Sequence, residues 1–560
     1  MKRIPLFIFA ITFITNVITA HIAPKIADAI QTLLSVTTFD EQNKIIASGN
    51  GFYSSKNGEA IASYKLFKGA KRAIVIDGKG KKWEVKRILG ASDMLNLVKF
   101  QVENKETKAL APALDLAKVD ETLYLVSKFP KKGSLIETKV THVTTYSGSA
   151  YYTLSLSDND KNENCPILNA EGKVVAIVQK NVNKKTTNAY AIGIQLAINM
   201  QIDELSVGNR SLLGIGITKA LPTTQEKALT YLYLLSSSNV DSTTYRTALN
   251  DFIETYPESQ EGYTERAMFY AEHKDYAKSE ADFEKALNVA QQKDQVYYAL
   301  SKAIYNKALY SPTPIYKDWN LTRALTEAQK AYTSQPHSIY LIMQGKCYYG
   351  LKNYEKAYQL YSDLNKTNFA SAETFYYAAK AKEMNGGDLK EVIELMDSAI
   401  SKCPKPYTKD AAPYLFDRAI KNVLAGNYRE AVLDYNEYEH IIGYKKLTDK
   451  FYYLREQAEI EAHMYQQAID DIERAITLAP SEYLYHVEKA ALMFRTAQVD
   501  LAIKSAQKAI AIKADEIDAY RILGIIYGEL KNKEKAAENL NKAKDLGDKQ
   551  AESLLNKYTK

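Results

Sequence analysis

From about residue 222 onward a short pattern returns at a near-fixed interval, and nothing else in the 560-residue chain restricts its fold so strongly. The small residue that opens the second half of each unit stands at Ala431, Ala468, Ala502 and Ala536, so successive units are 37, 34 and 34 residues apart. Ala357 in "NYEKAYQLY", Val392 in "GDLKEVIEL" and Ser279 in "DYAKSEADF" mark earlier units. Upstream of these lie further small residues, Ala267, Gly345, Ala419, Ala458, Ala490 and Gly524. Apolar residues within each unit follow a helical period. Two small positions per unit predict a pair of antiparallel helices that approach closely. One pair cannot bury its own apolar face, so the units must stack. The chain has 42 tyrosines, most of them in this half, and Tyr354, Tyr428 and Tyr465 are expected to fill gaps between neighbouring helices. About seven units are recognisable between residues 260 and 545. A degenerate one covers 222–257, an atypical one with a long insertion lies around 290–336, and "DKQAESLLNKY" reads as a capping helix.

These units resemble the tetratricopeptide repeat, a helix–turn–helix of similar length. The resemblance implies an all-α superhelix whose concave surface holds a protein or peptide. Lys346, Tyr349, Arg418, Asn422, Arg455 and Arg521 are the inner-helix residues expected to line it.

Between residues 30 and 200 the period is two, not 3.6. "RAIVIDG", "LNLVKFQV", "TLYLVSKFP", "YYTLSLS" and "KVVAIVQK" alternate apolar and polar residues and are separated by Gly, Asn, Asp and Lys. Many short strands at this spacing predict an all-β barrel or sandwich.

Within this half, "GNGFYSSKNGEAIASYKLF" (49–67) resembles the stretch of HtrA/Deg-type trypsin-like proteases that reads GSGFIIDKDGYILTNNHVV. "KKWEVKRILGASDMLNLVKFQV" resembles the family's YxAKVVGxDPxxDLALLKI, "NCPILNAEGKVVAIVQ" its GGPLVNxxGEVIGINT, and "NAYAIGIQ" its GIGFAIP. The resemblance covers about residues 45–197 and implies a trypsin-like double barrel. Such an enzyme needs a nucleophilic Ser, a His to take its proton and an Asp to orient the His. The family's His falls on Lys65, its Asp on Met94 (next to Asp93) and its Ser on Glu163. The glycine before the nucleophile falls on Lys161, and the two after it on Asn164 and Cys165. A protonated Lys is no general base, Met orients nothing, and a carboxylate is a poor acyl-transfer nucleophile. A Lys65–Glu163 ion pair across the former triad is expected instead. Cys165 reads as a buried structural thiol, and His142 is the only histidine within this half's strands.

No zinc, P-loop or dinucleotide-binding motif is present, so no cofactor or metal is expected. Residues 21–218 carry 26 Lys+Arg against 19 Asp+Glu, and residues 219–560 carry 45 against 48. Charge so divided does not suggest nucleic acid. The first twenty residues, "MKRIPLFIFAITFITNVITA", have the basic start, apolar run and small end of a signal peptide. The expected organisation is a signal peptide (1–20), a trypsin-like domain (21–218) and a superhelix of about seven to nine helical pairs (219–560). The expected setting is periplasmic or secreted, in a bacterial envelope, with a membrane tether only through an uncleaved N-terminus. The expected role is a non-enzymatic protein-binding scaffold with the inactive barrel as a second interaction surface. An active serine endopeptidase with a displaced site and a structural subunit of an envelope assembly are the alternatives.

Overall fold

The computed structural model describes residues 24–559 except 105, 128–133, 147, 157–161, 180–187 and 239. The expected signal peptide therefore lies outside the described residues. By their contacts, the described residues up to Ala290 form one compact unit and those from Gln291 onward a second.

The first unit contains twelve described strands: β1 Leu33–Phe39, β2 Ile45–Tyr53, β3 Glu59–Ser63, β4 Arg72–Ile76, β5 Lys82–Ser92, β6 Leu97–Val102, β7 Thr122–Ser127, β8 Ser134–Tyr146, β9 Ser149–Leu154, β10 Pro166–Leu168, β11 Val174–Gln179 and β12 Ala189–Gly193. They close into two six-stranded barrels, ordered β1-β2-β3-β6-β5-β4 and β10-β11-β12-β9-β8-β7. Period-two alternation gives each strand one inward face, as the burial of alternate residues in β9 shows. Val36, Ala62, Val75, Ile88 and Phe100 fill the first barrel, and Leu123, Leu125, Tyr152, Ala176 and Ala191 the second. Leu33, Phe52, Leu97, Val126, Leu168 and Ile177 join in a third cluster drawn from both barrels. Gly51 lies on β2 where β1 and β3 close in; a Cβ there would meet Val36 Cγ2 at 2.9 Å and the Ile61 carbonyl at 3.0 Å. This double barrel followed by helices is the fold class that the sequence predicted.

Helices follow from residue 225. Two hairpins, Gln225–Ser236 with Ser242–Thr255 and Gln260–Glu272 with Tyr276–Val289, belong to the first unit. Tyr231 and Leu235 enter the first barrel's apolar cluster, and Arg87 of β5 pairs with Asp251 at 2.9 Å.

The second unit holds seven further hairpins and a final helix, Ala551–Tyr558. The repeat is written in the backbone. Lys274, Lys352, Gly426, His463, Ala497 and Lys531 all have φ between +60° and +79° at the turn between paired helices. The last three are 34 residues apart. One residue later in each turn a backbone N–H reaches back over the helix end: Asn353 to Tyr348 O, Gln498 to Met493 O and Asn532 to Tyr527 O, each at 2.8–2.9 Å. This is the Schellman way of ending a helix, and it starts the return helix at once. Tyrosines recur with it. Lys278, Lys356 and Lys535 lie over the rings of Tyr270, Tyr348 and Tyr527, eight residues earlier, at 5.1–5.7 Å. Tyr354 packs edge-on against Tyr349 with centroids 5.2 Å apart. Gly345 and Gly524 abut Tyr361 and Leu540, sixteen residues on, with no room for a Cβ.

These contacts set two expectations for urea unfolding of the full chain. Ala497 is exposed and left-handed, so Ala497→Gly should stabilise its hairpin by about 0.5–1 kcal/mol. Gly345→Ala should destabilise its own by about 1–3 kcal/mol through overpacking against buried Tyr361.

Candidate functional site

Three short segments of the first unit converge. The single helical turn Tyr64–Phe67 follows β3 and carries Lys65. The loop before β6 ends at Asn96, and the turn before β10 carries Glu163. Asn96 is buried and has φ +50°, a conformation in which Asn is among the few tolerated side chains. Its backbone carbonyl accepts from Tyr64 N at 3.1 Å. Its side-chain Oδ1 accepts from Ser63 Oγ at 2.9 Å and from Lys65 N at 3.0 Å. Its Nδ2 donates to Glu163 Oε1 at 2.7 Å. Lys65 Nζ meets the same carboxylate oxygen at 3.0 Å, so the expected ion pair is present in the structure.

The sequence placed the third member of this group at Met94, and the structure corrects that. Met94 is 77% exposed and touches Tyr146 Oη through its sulfur at 3.4 Å. Neighbouring Asp93 pairs with Lys68 at the surface, 3.6 Å away. The left-handed turn at Asn96 places that amide, not Met94, against both Lys65 and Glu163. The signal was available: the family's aspartate directly precedes the leucine of its strand, and Asn96 directly precedes Leu97 of "LVKFQV".

Behind Glu163 the chain is tightly held. Asn164 adopts φ +63°, Asn164 N donates to Val178 O at 2.9 Å, and Cys165 N donates to Asn162 O at 3.1 Å. Cys165 is fully buried, and burial pushes its thiol up to about 11. Asn50 Nδ2 lies 3.7 Å from its sulfur and 3.5 Å from Ser127 Oγ. His142 is exposed on β8 opposite Thr153. Among the described residues no histidine contacts Lys65, Asn96 or Glu163. Lys161 lies outside the described residues. The arrangement offers a cation, an amide and a carboxylate already bonded to one another; it presents neither an activated nucleophile nor a base aimed at one.

The residues expected to line a repeat groove are also occupied. Arg418 grips Asp434 with two bonds of 2.8 and 2.6 Å and reaches Asp397 at 2.7 Å. Arg455 is buried; it grips Asp471 at 2.6 and 2.9 Å and also bonds Glu439 and Asn436. Asn422 is buried and accepts from Asn427 Nδ2 at 3.3 Å. Lys346 pairs with Glu373 at 2.8 Å and lies over Tyr377, Tyr349 packs on Tyr354, and Arg521 pairs with Asp518 and, at 3.2 Å, Asp548. Arg418 and Arg455 each hold a buried Asp on the second helix of their own hairpin, and Asn422 bonds Asn427 in the turn between the two helices. The rule behind them is an Arg sixteen residues before an Asp, seen again in Arg266–Asp282 at 2.7 Å. That spacing joins the facing sides of one hairpin.

No protein-family model matches the chain, and no curated protein matches it in sequence. Among solved structures, the serine endoprotease from Yersinia pestis is similar over 32% of this chain and 65% of that chain, at 13% identity and a TM-score of 0.29. Strand order by itself establishes the two-barrel architecture.

The geometry separates two substitutions. Asn96→Ala strips an acceptor from Ser63 and Lys65 N and a donor from Glu163; it should destabilise the barrel unit by about 2–3 kcal/mol. Lys65→Ala removes one arm of a half-exposed ion pair and should change stability by less than about 1 kcal/mol. Urea titration of both variants checks the order.

Proposed function

We propose that this is an exported, non-hydrolytic protein-binding scaffold, with the barrels serving as one interaction surface and the helical hairpins, read as tetratricopeptide repeats, as the other. The observation that carries the reading is the Lys65–Asn96–Glu163 interlock. Where acyl transfer requires a nucleophile, a base and an orienting acid in series, these three groups satisfy one another. The buried Cys165 thiol, held far above neutral pH, supplies no thiolate.

On the hairpins, the paired state of Lys346, Arg418, Arg455 and Arg521 favours apolar over ionic contact with a partner. Met384, Leu424 and Leu454 remain exposed on the first helices of three consecutive hairpins. Their burial in a complex would contribute more than exchanging one ion pair for another. Among the described residues no helix is long and apolar enough to cross a membrane. The N-terminal pattern of a basic pair followed by an apolar run supports export.

The test is hydrolysis of fluorescent casein together with labelling by a serine-directed fluorophosphonate, with the Glu163→Ala variant alongside. Neither turnover nor labelling is expected from either protein. Turnover that survives repurification would overturn the reading.

A further inference from the structure

The helix Asp449–Glu461 breaks the pattern of its neighbours at one position. In five other hairpins a small residue stands twelve positions before the residue that aligns the second helices: Ala267 before Ser279, Gly345 before Ala357, Ala419 before Ala431, Ala490 before Ala502 and Gly524 before Ala536. Twelve positions before Ala468 stands Glu456, and Ala458 lies two positions out of this register. A carboxyl group occupies the point of closest helix approach.

Glu456 is fully buried and Glu459, on the next turn, nearly so. Glu456 Oε2 accepts from Gln457 Nε2 at 2.7 Å, but Glu456 Oε1 and Glu459 Oε2 have no partner. The cation beside them is already committed. Arg455 Nε is 3.7 Å from Glu459 Oε1, yet that guanidinium holds Asp471 at 2.6 Å and Glu439 at 2.7 Å. Further acids face the pair from each packed element: Glu439 from the preceding hairpin, Asp470 and Asp471 from the second helix, and Glu488 from the hairpin that follows. Arg474 is bound to Glu439, and Arg495 acts on Glu488. Six carboxyl groups thus share two nearby guanidinium groups, with Arg495 reaching only Glu488. No donor reaches the two orphan oxygens to hold a negative charge there, and a proton on each carboxyl would remove that charge.

We propose that the hairpin spanning 449–478 folds with Glu456 and Glu459 protonated and is a pH-sensitive element that loosens as pH rises through neutrality. Burial holds each carboxyl up to about 8, against an ordinary value of 4.5; facing carboxylates push the same way, while Gln457 opposes them at Glu456 and Arg455 at Glu459. Between those limits the folded hairpin keeps a proton that the opened one releases. Stability is therefore full below about pH 4.5 and falls as pH rises towards 8, by up to about tenfold in the opening constant per pH unit for each group.

Hydrogen exchange of the full chain between pH 5.5 and 7.5, corrected for intrinsic exchange rates, tests this. Protection of amides in 449–461 should fall about tenfold or more per pH unit relative to those in helix Ile517–Glu529, which has Gly524 at the same place. Glu456→Gln and Glu459→Gln, which keep the shape and remove the titration, should each reduce that slope. Glu456→Ala, which restores the small residue, should reduce it and also raise protection at pH 7.5. Protection that tracks the reference helix across the range, or a slope unchanged in both Gln variants, would overturn the proposal; the Gln variants decide it should the Ala variant fail to fold.

Discussion

A polar side chain removed from water must find its partner inside the protein, and in this chain that requirement shapes both kinds of architecture. In the barrels it turns three residues outside the strands into a closed set: Asn96 gives every polar atom of its amide to Ser63, Lys65 or Glu163. In the hairpins it places Arg455 where it can bind Asp471 on its own partner helix and Glu439 on the hairpin before. Each Arg of this kind spans a hairpin and reaches the preceding one, so it fixes stacking as well as pairing. Apolar contact brings the helices together; the buried ions set which residues must face each other.

The apolar pattern was legible because burial repeats with the period of the backbone. Alternation at β9 and the 34-residue return of Ala468, Ala502 and Ala536 could be read directly. Pairing was harder to read, because it depends on direction as well as position. Met94 and Asn96 are two residues apart, and only the left-handed backbone at Asn96 decides which one faces inward. Arg418 and Arg455 look like charges available to a ligand until the Asp sixteen residues on is seen to face them. Glu456 is hidden in the sequence by Ala458, a small residue two positions out of register.

The division between the halves shows the same limit. Periodicity changes near residue 219, yet Tyr231 and Leu235 place their side chains in the first barrel's core. Period reports how a segment curls and not which neighbour receives its apolar face. The first two hairpins accordingly share a compact unit with the barrels.

Closure of both barrels has a consequence of its own. Every described strand pairs with two neighbours over at least part of its length, and closure leaves main chain open only where pairing lapses, as at Ile45–Asn50 of β2, which pair with β1 alone. Recognition through main-chain bonding, which tolerates almost any sequence in the guest, is confined to such stretches. A guest on the remainder of the barrels would have to be read by side chains and loop shape; such a surface would be selective about composition and indifferent to whether the guest is extended.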